Sequence, residues 1–483
     1  MRLFIIVSSA IPLGARDLAN CTERVEKCNG RLCAHVCAPG SVVPVAHSAV
    51  ALALQRALQA DERLARHTLI GSHNSAIAMS YGFGIEMDGF EKLLNRTLYD
   101  NDDLGEGLDQ SFSLTDQLNL GLRHLEIDIT AGYFRVPPAL DSFFVCHSPI
   151  PLDLSLVADV TAAARRHHVD LGDWKPSRLS CLGGTTVPLR EAFMEVKTWL
   201  DANQGEFVVL YLDTKALTML GKSQADALSA LVRSVFNDTV WDHRDGPTDA
   251  LLNATLTSLL ARGKRLFLED HADAYNKAAD PVVFTPVAWS HQFGAADLSA
   301  FPGCAIGGDA GWYTTLRGAP KGFARGLYDS GSVLHDDPAA HDAARAHATR
   351  CGVGIVSPNY IQPRDLDAFV WTWDRGEPRS GIGGARCVVQ RPNERWALME
   401  CNEARRHAQL ACRAEDDDRT WRVAEVAAGC APGFVARPPT NGFANALLRQ
   451  AAGGTTSAAL LLLNVSEDGR SPSPGLDQAG GGL

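Results

Sequence analysis

From residue 46 onward the chain alternates between two apolar spacings. Ala46 to Ala65 carries apolar residues at helical intervals. Leu189 to Asn203 does the same, with Leu189, Phe193, Val196 and Leu200 on one face, so both predict amphipathic helices. Thr68 to Ile70 predicts a short strand that runs into Gly71-Ser72-His73-Asn74. Ser113 stands where it can cap a helix over Leu114 to Leu120, closed by Gly121. Leu122 to Ile129 alternates with period two, and Phe143 to Cys146 predicts a further strand. The near-continuous apolar run Phe207 to Leu212 suits a strand buried on both faces. Ala225 to Phe236 and Ala339 to Arg350 predict helices, the second stopped by Gly352. Arg265 to Leu268, Val287 to Ser290, Gly354 to Ser357 and Ala368 to Trp373 predict strands.

Repeated strand–helix alternation favours an α/β fold, a TIM-type (β/α)8 barrel over 46–378, rather than an open sheet. No Gly-rich dinucleotide or phosphate-loop motif follows any strand, which counts against nucleotide binding. After Trp373 helical periodicity disappears, and Cys, Trp and Pro are spaced among short strand candidates. The segment 379–466 therefore reads as a small Cys-rich β domain, and 467–483, rich in Ser, Pro and Gly, as a disordered tail.

Composition adds a compartment. The start, MRLFIIVSSAIPLGA, has a basic n-region at Arg2, a short apolar core and small residues after it, the pattern of a signal peptide over 1–15; a buried N-terminal strand is the other reading. Twelve cysteines follow, an even number. Cys21, Cys28, Cys33 and Cys37 crowd the segment 16–45, and Cys387, Cys401, Cys412 and Cys430 crowd another. Such clusters suit disulfides in an oxidising compartment. Zinc is the alternative for the first cluster, although its spacings form no paired C-x-x-C knuckles. Sequons at Asn20, Asn95, Asn237, Asn253 and Asn464 would be glycan acceptors on a secretory route. A net charge of −11 argues against nucleic acid as a partner and against a polybasic grip on anionic membranes.

The chemistry concentrates on the strand LRHLEIDI. Period two places His124, Glu126 and Asp128 on one face, and Leu125, Ile127 and Ile129 on the other. If the aliphatic face packs on helices, two carboxylates point into the barrel, where they repel and lose hydration unless a hard cation shares them. Asn74 follows the first strand and Asp213 ends the strand FVVLYLD, so Asn74, Glu126, Asp128 and Asp213 form a candidate calcium site, with magnesium less favoured. His73 and His147 also stand just after strands. Cleavage of a phosphodiester needs one proton removed and one delivered, and imidazole suits both roles.

Together GSHNSA, GLRHLEIDITAG, VCHSP and FVVLYLD resemble the successive strands of the catalytic X region of phosphatidylinositol-specific phospholipase C. That resemblance runs in order from Leu69 to Asp213 and continues more weakly to about Trp373. It implies a phospholipase C-like phosphodiesterase in which His73 steadies the phosphoryl oxygens, Glu126 or a neighbouring carboxylate takes the proton of the attacking hydroxyl, and His147 protonates the leaving alkoxide. Metal-free members of the family resemble H-D and D-x-R. This chain has His73-Asn74 and Glu126-x-Asp128, similar to the calcium-dependent branch, with Asp213 where a Glu is usual in the eukaryotic enzymes. The expectation is a secreted phosphoric diester hydrolase acting on an inositol-phospholipid-like lipid or head group, with transient membrane-surface contact. Two alternatives stand beside it. One is a glycerophosphodiesterase or sphingomyelinase-type barrel, which typically opens with His-Arg-Gly instead. The other is a non-catalytic barrel serving a lectin-like, glycan-contacting C-terminal domain, after the faint likeness of LACRAEDDDRTWRVA to C-type lectins.

Overall fold

The computed structural model describes residues 21–29, 32–83, 85, 109–131, 143–146, 187–213, 222–270, 278–284, 289–293, 298–305, 323–328, 338–379, 385–417 and 419–466. The expected leader over 1–15, the tail over 467–483, His147 and the sequons at Asn20 and Asn95 lie outside the described residues.

The described chain opens on an antiparallel hairpin, β1 (Arg24–Asn29) and β2 (Leu32–Cys37), with disulfides Cys28–Cys33 and Cys21–Cys37 tying it. These bridges remove the zinc alternative for that cluster. Helix Ala46–Gln59 follows and buries Ala51, Leu52, Leu54 and Leu58. It stops short of the expected Ala65. The backbone N–H and hydroxyl of Thr257 both donate to the Ala60 carbonyl, and the chain turns into a 3-10 segment, Leu64–Arg66.

Next come β3 (Leu69–Ser72), β4 (His124–Ala131), β5 (Phe143–Val145), β6 (Val187–Pro188), β7 (Val208–Asp213), β8 (Leu266–Glu269), β9 (Trp289–Phe293), β10 (Phe323–Tyr328) and β11 (Ile355–Pro358). Seven of these pair in parallel, in the spatial order β8-β7-β4-β3-β11-β10-β9. The last, β11, returns beside the first, β3, so the sheet curls back on itself as a barrel does. A parallel bridge from Glu269 to Phe284 adds one more position outside β8. Among the described residues nothing joins that edge to β9, so the expected (β/α)8 ring is not closed. A second departure concerns β5. It pairs antiparallel with the end of β4, and β6 pairs antiparallel with β5, so the VCHSP segment leaves a rim hairpin and not the next barrel strand. No described helix is long and apolar enough to cross a membrane.

Between strands, helix Leu189–Ala202 buries Leu189, Phe193, Val196 and Leu200, the face its spacing predicts. Helix Lys222–Phe236 packs beside it, with Phe193 and Phe236 rings 5.4 Å apart. Leu125, Ile127 and Ile129 share one core with these helices. The other face of β4 carries His124, Glu126 and Asp128, all buried.

The C-terminal part holds β12 (Arg386–Gln390), β13 (Trp396–Glu400), β14 (Ala408–Ala414), β15 (Trp421–Glu425), β16 (Phe434–Ala436) and β17 (Leu460–Leu463) in one sheet, antiparallel except for β14 with β17. Disulfides Cys387–Cys401 and Cys412–Cys430 staple it, and Cys304–Cys351 lies in the preceding part. Contrary to the loss of helical periodicity expected here, Cys401–His407 and Gly442–Ala451 are helices; Asn441 caps the second by accepting from the Ala444 N–H. The predicted strand over Ala368 to Trp373 is a 3-10 turn, Asp365–Phe369, followed by extended chain with a single bridge from Trp373 to Trp396. Gln55 explains the difference: its Oε1 accepts from the Trp371 N–H (2.9 Å) and its Nε2 donates to the Phe369 carbonyl (3.1 Å), so a side chain satisfies backbone that a ladder would otherwise occupy.

Candidate active site

At the C-terminal ends of β3 and β4 the backbone is pinned before any chemistry is considered. The chain leaves β3 through His73 and Asn74, and Asn74 adopts φ of 46°, a left-handed conformation that asparagine tolerates. Ser75 then clamps the neighbouring strand: its N–H donates to the Glu126 carbonyl (2.7 Å), and its hydroxyl accepts from the Glu126 N–H (2.9 Å). Gln117 donates to the Ser75 carbonyl (2.7 Å), and Gln110 donates to the carbonyls of His73 (2.8 Å) and Pro358 (3.2 Å). A loop that would otherwise move is thereby fixed to three strands.

On this frame, Nδ1 of His73 bonds to Oδ1 of Asn359 at 2.8 Å, and Nε2 lies 3.9 Å from Oε2 of Glu126. An amide oxygen only accepts, so Nδ1 carries the proton and Nε2 is the nitrogen turned toward the carboxylates. Carboxylate oxygens of Glu126, Asp128 and Asp213 lie within 4.8 Å of one another. Asp213 pairs in register with Asp128, which explains how β7 delivers the third acid. Glu126 and Asp128 are 2% and 7% exposed, so water does little to damp their repulsion. Burial, and then the charges of Glu126 and Asp213, push the Asp128 carboxyl well above the usual carboxylate range, with His73 pulling the other way. Among the described residues its buried Oδ2 has no hydrogen-bond partner. Asn74 is buried beside the cluster's strand, its Nδ2 donating to Oδ2 of Asp109 at 3.0 Å. Three carboxylates converging without sulfur, one of which has an unsatisfied buried oxygen among the described residues, fit a hard divalent cation.

No protein-family profile matches the chain. In sequence it is 23% identical over 325 residues to two uncharacterized proteins, from the CDC 1551 and H37Rv strains of Mycobacterium tuberculosis; the match covers 59% of this chain and 63% of theirs. The chain thus spans less than two thirds of the length of these relatives. Among solved structures it is similar to the phosphatidylinositol-specific phospholipase C of Listeria monocytogenes, with 13% identity, a TM-score of 0.40, and 66% of this chain and 97% of that one covered. It is also similar to a calcium-dependent phosphoinositol-specific phospholipase C from a Gram-negative Pseudomonas species, with 15% identity, a TM-score of 0.33, and 64% and 93% coverage.

Of the residues singled out from sequence, His73, Glu126, Asp128 and Asp213 come together, and Asn74 sits on the loop between His73 and Ser75. His147 lies outside the described residues, two positions beyond β5. Sequence reading missed Asn359, Asp109 and Gln110. Asn359 had a usable signal, a polar side chain just past the predicted strand Gly354 to Ser357, at the end where barrel sites form. Asp109 and Gln110 had none, because nothing in the local pattern places their loop beside His73.

Proposed function

We propose that this chain is a phosphoric diester hydrolase of the phospholipase C type, built on a calcium site of Asn74, Glu126, Asp128 and Asp213. The observation that carries the reading is the meeting of two buried carboxylates and the half-buried Asp213 with an oriented imidazole at the strand ends. When bound, a divalent cation would lower the pKa of an attacking hydroxyl and offset charge gathering on the phosphoryl group. Calcium is preferred to magnesium because carboxylates on separate strands make an adjustable site, whereas magnesium demands tight octahedral geometry.

In this reading the protein's own residues divide the work as follows. Glu126 accepts the proton of the attacking hydroxyl. His73, its Nδ1 side held by Asn359, turns Nε2 toward the phosphoryl oxygens. His147 delivers a proton to the leaving alkoxide. An inositol-lipid head group fits this chemistry, because its 2-hydroxyl lies next to the phosphate and attack gives a cyclic phosphate before hydrolysis. Disulfides spread from Cys21 to Cys430 support an extracytoplasmic location.

The test is product analysis on a panel of phosphodiester lipids with calcium and with chelator. Release of a phosphorylated head group that stops in chelator and returns with calcium is expected. Full activity in excess chelator, with no metal bound, would overturn the cation, and no cleavage of any phosphodiester would overturn the enzyme.

A further inference from the structure

Beneath the site lies a second row of polar residues that the proposed chemistry does not use. Gly71, His124 and Ser357 each precede a residue of the site by two positions: His124 and Glu126 share β4, while Gly71 and Ser357 lie in β3 and β11, with His73 and Asn359 just past the ends of those strands. Since strand side chains repeat every two residues, these three form the layer under the site. The register agrees: Gly71 pairs with His124 across β3 and β4, and Ile70 pairs with Val356 across β3 and β11, one step below Gly71 and Ser357.

The layer is closely fitted. Nδ1 of His124 and Oγ of Ser357 are 3.2 Å apart, and Nε2 of His124 lies 3.9 Å from Oε1 of Glu269, which reaches over from β8. His124, Ser357 and Glu269 are all fully buried. Gly71 is required for the fit, because a Cβ there would stand 2.5 Å from Oγ of Ser357 and 3.0 Å from Nδ1 of His124. Aliphatic side chains would fill a barrel interior at lower desolvation cost. A dispersive contact has no preferred height along a strand, but a hydrogen bond between two strands does.

We infer that Ser357, His124 and Glu269, packed over Gly71, are positioning residues that fix the relative heights of β11, β4 and β3, and through them the alignment of Asn359, Glu126 and His73. None of the three meets the substrate. They act through the residues one layer above, as outer-shell partners orient the ligands of a metal site.

The experiment uses the full-length protein carrying Ser357→Ala or His124→Gln, with Val389→Ala, in the core of the C-terminal sheet, as a control for stability. Calcium affinity is measured by calorimetry, the His73 ring by the NMR of selectively 15N-labelled histidine, and stability by thermal melting. Ser357→Ala should weaken calcium roughly 10-fold and shift the His73 ring resonances, and Ser357→Thr should restore part of both. Val389→Ala should lower the melting temperature and change neither. Wild-type calcium affinity together with an unmoved His73 ring in Ser357→Ala would overturn the inference. Its calcium arm rests on the proposed cation site, so the two can fail separately: if the wild type binds no calcium, the cation reading falls, and the His73 ring alone decides the alignment. Should His124→Gln not fold, Ser357→Ala carries the test.

Discussion

The acids at the barrel rim and Asn445, which lies against the C-terminal sheet, are buried in opposite ways. Asn445, on helix Gly442–Ala451, is 2% exposed and saturated. Its Oδ1 accepts from Gln390 (2.7 Å) and from the Trp396 indole (2.8 Å), and its Nδ2 donates to the carbonyls of Glu394 (2.9 Å) and Trp371 (3.3 Å). At the rim, three acids crowd within 4.8 Å, and one buried carboxylate oxygen has no hydrogen-bond partner among the described residues. A saturated amide contributes to holding a fold together. Crowded like charges oppose folding, so a chain that keeps them has another use for them.

Substitutions can break or sharpen this contrast. The largest effect is expected at the rim on rate: His73→Ala and His147→Ala should each cut turnover about 10²- to 10⁴-fold while the melting temperature stays put. Near-normal turnover would remove the rim's claim to be a catalytic centre. Against the sheet, Asn445→Ala strands the Trp396 and Gln390 donors and two carbonyls, so a loss of about 3 kcal/mol in chemical denaturation is expected, with the calcium affinity of the folded protein unchanged. A loss below about 1 kcal/mol would mean the network is not what holds that sheet. Asp128→Asn should relieve repulsion, so the cation-free variant melts higher than cation-free wild type. It should also forfeit the roughly 2.7 kcal/mol that calcium at 100 times its Kd gives the wild type. An equal calcium-induced rise in both proteins would place the cation elsewhere.

The smallest effect sharpens the contrast from the far end of the barrel. There His67, beside a cavity of about 50 Å³, has its pKa lowered by burial, partly offset by the Glu62 carbonyl. Its folded pKa lies below the unfolded value, so the unfolded chain binds more protons as the pH falls. The stabilisation is complete above the unfolded value of about 6.5 and is lost as the pH drops through that value toward the folded one, by at most about 1.4 kcal/mol per pH unit. His67→Gln should flatten this slope in urea titrations across that range, in chelator as well as in calcium. A slope that changes with calcium would link the two ends.

Period-two patterning made β4 legible, because its aliphatic face must pack on helices while the other turns inward, and the near-continuous apolar run Phe207 to Leu212 made β7 legible; the three acids at the rim follow from those two strands. Cap chemistry made helix Leu114–Asn119 legible through Ser113 and Gly121. The strand Phe323–Tyr328 was not read, since Arg325 and Gly326 interrupt any apolar run and its pairing with β11 and β9 is entirely non-local. Helix Gly442–Ala451 was lost in a Cys- and Pro-rich texture, although Asn441 offers an ordinary cap. Asn359 stands just past a predicted strand, where it could have been read as a site residue, but its partnership with His73, 286 positions away, leaves no local trace.

One contact bears on how such a chain can be passed on. Where helix Gly442–Ala451 meets helix Pro338–Arg350, a Cβ on residue 442 would lie 2.2 Å from the Thr349 carbonyl oxygen, so backbone rests on backbone. Phe443 stacks edge-on against Phe301 beside this seam, and residues of both parts share one core. A gene truncated before this helix would encode a barrel with a groove of main chain laid open to water. A core shared in this way ties the two parts to descend together, and residue 442 is a position where mutation has almost no freedom.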